Sequence, residues 1–546
     1  MVADGPVSLD GATLERFTSS YEQHRKRHEV LLSDIVAYAK KSPLYANISV
    51  SGSSLDDLAS IPLTFYEDIA KCIESEGLEK VLLGKVEQSF RTSGSTGSPK
   101  SFFYGINDIE RISSEYMTAA NLVGITSKHR LWNLGGPLPD VSGYIMNTMG
   151  KDMGMEDLIP TLLHDDKDLV KALRRISKEE KVDVMVSTAL VFYLIGRMSR
   201  EPDYLRNMVE DKARRSFGLP GPLAKLAAMF YLRGVDMHAL RKITGELKMG
   251  ISFAEPLSPY LEDLKRSYPK LQIYDVYGST ENPIMAAQLD PTVNGLCMII
   301  SSIIPEIAPI EDVRKAKSDP TYRVRSTPWY QWSSGMVGEL IITRPGQCLP
   351  LLRYPTGDVI EVLEPAHSIN AMLDGKEFSF SLPLIRIMGR SVDALDFEAQ
   401  DECGNFFGVK VYTRQINEAL HRSGNVRWWE IFKIKGAPAR LIILVIPESD
   451  PSDRSRFKHE IFQRLTHEDP DIPQSFLIAN DLGMLDVIVL PSDAFQSVQA
   501  EIDRRVKEGR SYGQLKPKRI HVMSNEEEYE KAMTDRYSHW LPDKAK

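Results

Sequence analysis

VEQSFRTSGSTGSPKSFFYG, residues 86–105, is the stretch on which the reading turns. Its outer parts, VEQSFRT and KSFFYG, are short and rich in aromatic residues and predict strands. Between them Thr92, Ser93, Gly94, Ser95, Thr96 and Gly97 lead through Ser98 and Pro99 to Lys100. Glycine lets backbone N–H groups come close to an anion. The hydroxyls add donors, and Lys100 adds a positive charge. A G-x-x-x-x-G-K-[ST] loop would open a helix. Here a strand follows, so an anion would be held in a backbone nest rather than at a helix dipole. The same residues also suit a plain hairpin turn, and the loop alone does not choose between the two.

Outward from the loop, residues 12–45 read as helical up to Pro43, and DDLASIPLTFYEDIAKC as helix, link and helix. Asn107 with Glu110 resembles a capping box opening a helix to about Val123. VDVMVST (182–188) is an apolar, β-branched run suited to a buried parallel strand. Residues 200–248 read as basic helices broken by GLPGP. LKMGIS, QIYDVYG and VGELIIT predict further strands. The alternation predicts an α/β fold with largely parallel sheets and helices over residues 1–389. From Gly389 the pattern changes to short strands (GNFFGVKVY, WWEIFKIKG, ARLIILVIP, LDVIVLP, KRIHVMS). Helical segments lie between them near 413–422, 453–466 and 493–508. Residues 390–546 are therefore expected to form a smaller, mobile α+β domain.

At 546 residues the chain is too long for one core. Its net charge of −8 argues against a nucleic-acid partner. Cys72, Cys297, Cys348 and Cys403 are far apart, which indicates neither a disulfide framework nor a zinc cluster. No signal peptide and no uncharged apolar run of about 18 residues is visible, so a cytoplasmic protein without a membrane partner is expected.

Further motifs follow the loop in order: MGISFAEPLSP (249–259), VYGSTE (276–281), VGELIITRPG (337–346), LLRYPTGDV (351–359) and IMGRSVDAL (387–395). With TSGSTGSPK (92–100), this series resembles the adenylate-forming superfamily of acyl- and aryl-CoA ligases, peptide-synthetase adenylation domains and luciferases. YAKKSPLY and IPLTFYEDI near the N-terminus are similar to the phenylacetate–CoA ligase branch. The resemblance implies a domain of residues 1–389 that binds ATP and an acid, with residues 390–546 as its lid. It implies activation of a small, possibly aromatic, carboxylic acid to acyl-AMP with pyrophosphate release. Transfer to coenzyme A would follow. The alternatives are transfer to a carrier-protein thiol or an amine, and a nucleotide-binding homologue without catalysis. A monomer or homodimer would suit any of them.

By the same resemblance, residues 92–100 would hold the β- and γ-phosphates. Ala254, Glu255 and Pro256 would lie beside the adenine, and Tyr277 would stack on it. Gly278, Ser279 and Thr280 would approach the α-phosphate, and Glu281 would hold Mg²⁺, which prefers oxygen ligands. Asp358 would accept the ribose hydroxyls, and Arg390 would contact the ribose–phosphate region. Trp132, Gly135, Gly136, Ser187, Phe192, Ser252 and Phe253 are candidates for the acid pocket, within a wider stretch reaching Tyr144. The family's late lysine has no clear counterpart. By order it is Lys531, ahead of Lys516 and Lys518, with Arg536 downstream. Two further departures are Pro355 in place of an arginine and Val392 where the hinge acid is expected, with Asp393 next.

Overall fold

The computed structural model describes residues 11–540 apart from 93–98, 158–165, 180, 255–256, 258–259, 374, 394, 401–405, 422–424, 436–439, 467–482 and 508–518. Its centre is a mixed sheet of twelve strands. One half is parallel: Glu156–Asp157, Arg130–Asn133, Val184–Thr188, Met249–Phe253 and Gln272–Tyr277 lie side by side. Val184–Thr188 is buried throughout, as its apolar run predicts. The other half is antiparallel and begins where Gln272–Tyr277 meets Ala286–Ala287. It continues through Leu296–Met298, Lys376–Arg390, Leu351–Leu373, Val337–Arg344, Ile304–Ala308 and Thr327–Pro328. The α/β class therefore holds; MGISF lies in the parallel half, VYGSTE ends at the junction, VGELIITR, LLRYPTGDV and IMGR lie beyond it, and the strands flanking TSGSTGSPK form a separate two-stranded sheet.

Two apolar cores flank this sheet. One gathers the N-terminal helices and the antiparallel half, including Leu32, Phe90, Val186, Ile251 and Leu340. The other packs Met185, Phe192, Ile195, Leu240 and Tyr268 beneath the parallel half. The side chains alternate along each strand: Val184 and Val186 face the first core and Met185 the second.

Residues 426–523 form a separate four-stranded sheet: Leu485–Val489, Arg440–Pro447, Val426–Ile434 and Ile520–Met523. Its two faces bury two further cores, one around Trp429, Ile443 and Ile461, the other around Phe432, Leu444 and Tyr537. Those cores share no residue with the first two.

Three local expectations are corrected. Residues 12–45 are not one helix, because Ser20 caps a second helix, Tyr21–Ala39, and ends the first at Phe17. The helix Ile106–Leu122 starts at Gly105, and the acid that reaches back to its N–H is Asp108, not Glu110. Between LLRYPTGDV and IMGRSVDAL runs a long hairpin, Leu351–Leu373 with Lys376–Arg390, which the motif reading passed over.

Candidate active site

Strands Gln88–Arg91 and Ser101–Tyr104 pair antiparallel and carry the Gly/Ser/Thr loop at their tip. The neck of the loop is closed twice: Thr92 N donates to Lys100 O at 2.8 Å, and Lys100 N to Thr92 Oγ1 at 2.8 Å. The Lys100 ammonium lies 5.5 Å from the Tyr66 ring centroid. Ser93, Gly94, Ser95, Thr96 and Gly97 lie outside the described residues.

The strand Gln272–Tyr277 ends in a turn whose carbonyls are individually held. Tyr104 donates its hydroxyl to Thr280 O at 2.6 Å, and Arg344 Nε to Glu281 O at 2.6 Å. Tyr116 donates to Pro283 O at 2.8 Å, and Asn282 Nδ2 to Ile284 O at 2.5 Å. At Gly278 a Cβ would lie 1.7 Å from Pro283 O, so only glycine fits. The half-buried Thr280 and the buried Glu281 are thus fixed at the end of a parallel strand, where α/β sheets usually take ligands.

Across the junction, Asp358 and Arg390 are direct cross-strand partners. Arg390 Nε lies 3.0 Å from Asp358 Oδ1, and Tyr277 donates its hydroxyl to Asp358 Oδ2 at 2.7 Å. Arg390 Nη1 also donates to Thr356 O at 3.0 Å. Burial, followed by the charge of Asp358, pushes the Tyr277 phenol well above its ordinary range. Burial likewise raises the Glu281 carboxyl; Arg390 and Lys100 oppose the rise, and Asp358 adds to it. These influences place Lys100, Glu281, Tyr277, Asp358 and Arg390 in one electrostatic neighbourhood. Tyr277 thus reaches Asp358 through its hydroxyl while its ring packs against the first core.

Glu281 is 5% exposed and acceptor-only when ionised. A buried carboxyl whose charged form is disfavoured, within electrostatic reach of Lys100, is an oxygen donor of the kind Mg²⁺ would take.

Ala254, which follows strand Met249–Phe253, has φ 74°, an uncommon conformation for alanine. Its neighbours Glu255 and Pro256 lie outside the described residues. The acid-pocket candidates divide. Gly135 and Gly136 form a tight loop after Arg130–Asn133, held by Gly135 N to Asn133 Oδ1 at 3.0 Å and Gly136 N to Ser142 Oγ at 3.1 Å. Arg91 N donates to Pro139 O at 2.9 Å, and the Phe90 and Tyr144 rings are 5.4 Å apart. That loop therefore borders the hairpin of Gln88–Arg91 and Ser101–Tyr104. Ser187 and Ser252 are register partners, and both are fully buried. Ser252 Oγ and Trp132 Nε1 find no hydrogen-bond partner among the described residues, an expense that buried polar atoms normally avoid. Phe253 is half-buried against the first core. Phe192 lies in the second core, edge-on to Tyr268, with its ring filling the space a Cβ would need at Gly250.

Lys531 is exposed, on a helix (Glu526–Tyr537) whose Tyr529, Met533 and Tyr537 face the core. No described bond or ion pair joins it to Thr280, Glu281 or Asp358. Lys516 and Lys518 lie outside the described residues. The sequence reading missed Tyr104, Arg344 and Thr356, which hold the site from behind. For Arg344 a signal existed, since a charged residue ending the apolar strand VGELIITR needs a buried partner.

No protein-family model and no curated protein matches the chain. Solved structures do. A 2-hydroxyisobutyryl-CoA ligase in the postadenylation state, complexed with R3-HIB-AMP, aligns with TM-score 0.64 at 16% identity, covering 98% of this chain and 96% of that one. An open form of the same ligase with 2-HIB-AMP and CoA aligns with TM-score 0.53 at 16% identity, covering 92% and 93%. A GH3.15 acyl acid amido synthetase aligns with TM-score 0.64 at 14% identity, covering 99% and 98%. Over nearly its whole length, the chain carries the adenylate-forming fold that its series of motifs resembles.

Proposed function

We propose that this chain activates a small carboxylic acid as its acyl-AMP and passes the acyl group to a thiol, coenzyme A in the first instance. The observation that carries the reading is the convergence of Lys100, Glu281, Tyr277, Asp358 and Arg390 around the Thr280 turn. In this mechanism an oxygen of the acid attacks the α-phosphorus of ATP, a new P–O bond forms, and the bond to pyrophosphate breaks. Both reactants are anionic, so fixed donors and cations aimed at the phosphorus are what the site must supply. Thr280 donates to the α-phosphate from a turn that Tyr104 and Arg344 hold rigid. Asp358 accepts the ribose hydroxyls, for which its two oxygens keep acceptor capacity beyond the Tyr277 and Arg390 contacts. Arg390 steadies Asp358 and the ribose–phosphate region. Glu281 would hold Mg²⁺, which when bound offsets phosphate charge. In the second half-reaction the thiol sulfur attacks the acyl carbon and AMP departs.

A second reading sends the acyl group to an amine. It is favoured by the amido synthetase, whose alignment spans both chains almost completely. The two readings share the first half-reaction and separate at the second. ATP–pyrophosphate exchange with a panel of small acids tests the first half-reaction. Product analysis with coenzyme A, a carrier protein or amines then names the acceptor. Intact ATP binding with no exchange across a broad panel would leave a nucleotide-binding protein without catalysis.

A further inference from the structure

The helix Gly221–Tyr231 presents its residues the wrong way round for a surface helix. Ala224 and Ala228 are buried, whereas Leu223, Leu226, Met229 and Phe230 are 48–66% exposed. At about 100° per residue these four form one continuous face about a third of the circumference wide. Phe217, at the end of the preceding helix Pro202–Phe217, is 75% exposed. Five of the fourteen exposed large hydrophobic residues among the described residues thus fall in one short helical hairpin, which marks a patch rather than scatter. The hairpin is anchored: Arg174 donates through Nε to Arg233 O at 2.9 Å and through Nη2 to Tyr231 O. Lys225 stands exposed on the same helix, and residues 210–236 carry five basic residues against Glu210, Asp211 and Asp236, a net charge of +2 in a chain of net charge −8, with Arg214 paired to Glu210.

We propose that this hairpin is a peripheral docking surface for an anionic lipid bilayer. Large apolar side chains enter the boundary between headgroups and acyl chains while the Lys and Arg side chains meet lipid phosphates. No described helix is long and apolar enough to cross a membrane, so the contact is with the surface. The expectation of no membrane partner came from the spanning criterion, which does not test a surface helix. The acidic balance of the rest of the chain repels an anionic surface and leaves this face as the one that docks. A symmetric contact with a second copy is disfavoured, because it would set the net positive charge of this hairpin against its twin. The inference does not depend on the adenylation chemistry.

The test is flotation of the full chain with vesicles of phosphatidylcholine alone or mixed with phosphatidylglycerol. Binding to the mixed vesicles should exceed binding to the neutral ones by about tenfold and fall away in high salt. Leu226→Glu combined with Phe230→Glu should abolish it, and Lys225→Glu should reduce it. All three positions are exposed, and unchanged thermal unfolding will show that the fold is retained. Equal binding to both vesicle types, or binding that survives the double substitution, would overturn the proposal. So would a concentration-dependent dimer that the double substitution dissociates, with no vesicle binding, because the patch would then be a contact between copies.

Discussion

Asp358 is 7% exposed, and each of its oxygens already has a partner, Arg390 on one and Tyr277 on the other. In the proposed reaction it must also accept a diol, so its removal costs the ligand contact and leaves the Tyr277 hydroxyl and Arg390 without their carboxylate. Asp358→Ala should weaken ATP binding by about 1–3 kcal/mol, measured calorimetrically. Tyr277→Phe, which keeps the carboxylate and its charge, should cost less. Unaltered ATP affinity in Asp358→Ala would remove the residue from the nucleotide site. Lys531→Ala should abolish ATP–pyrophosphate exchange while largely sparing thiol transfer from supplied acyl-AMP. Exchange at the normal rate would move that role to another residue. At this scale the sequence was informative where chemistry leaves little choice: Gly278 has no room for a Cβ, and the Thr280–Glu281 turn depends on it. It was silent on Tyr104, which acts on a backbone carbonyl and so leaves no pattern of its own, whereas the charge of Arg344 at the end of an apolar strand was there to be read.

Among the elements, the long hairpin shows why part of the fold was not legible. His367, Ile369, Ala371 and Leu373 are buried and Ser368, Asn370 and Met372 exposed, a clean period of two. Pro365, polar residues and Gly375 break the apolar signal, so the period emerges only when the partner strand supplies the other face. The helix Tyr21–Ala39 carries a second device absent from any motif. Trp329 donates its indole N–H to His28 Nδ1 at 2.8 Å, and His28 Nε2 donates to Ile300 O at 2.7 Å, which fixes His28 as a neutral ring. Burial lowers His28 from 6.5 to about 4; the bond to Ile300 O pulls the other way. Burial, then the charges of His28 and Arg27, lowers His24 from 6.5 to about 3. Between those values and 6.5 the unfolded chain binds more protons than the folded one. Stability is therefore complete above about 6.5 and falls as the pH drops through the window. Urea unfolding at pH 7 and pH 4.5 should show a loss on the order of 5 kcal/mol, of which His28→Gln removes about half. An equal loss in wild type and variant would place the acid sensitivity elsewhere.

For the whole molecule, with the proposed boundary near Arg390, residues 390–546 meet the larger part through Tyr412, buried with Ile310, Val359 and Met388, and through a polar cluster around Glu448. Glu448 lies 3.6 Å from Arg197 Nη1 and accepts from the Tyr193 hydroxyl at 3.4 Å. Arg197 covers the Tyr204 ring at 4.5 Å, and Tyr193 packs on Tyr260 at 5.4 Å. Burial lowers the pKa of Arg427; Tyr204, Glu448 and Tyr193 favour its charge and Arg197 opposes it. Burial and then Glu448 push the Tyr193 phenol up to about 12. Glu448 thus favours the charge of two guanidinium groups that repel each other, and Arg197 keeps a second carboxylate, Glu201, at 3.2 Å. An exposed ion pair is worth at most about 1 kcal/mol, but removing Glu448 from this partly desolvated set leaves Arg427 facing Arg197 with Glu201 alone opposing their repulsion, which costs more. Glu448→Ala should therefore loosen this contact without unfolding either part. Hydrogen exchange should speed up in Ala189–Arg200 and near Arg427, while Val184–Thr188 and Arg440–Pro447, buried in separate sheets, keep their protection. If exchange at Ala189–Arg200 is unchanged, Glu448 does not hold the two parts together. If the buried strands also exchange faster, the residue is part of the stability of a single cooperative unit, and the proposed boundary fails with it.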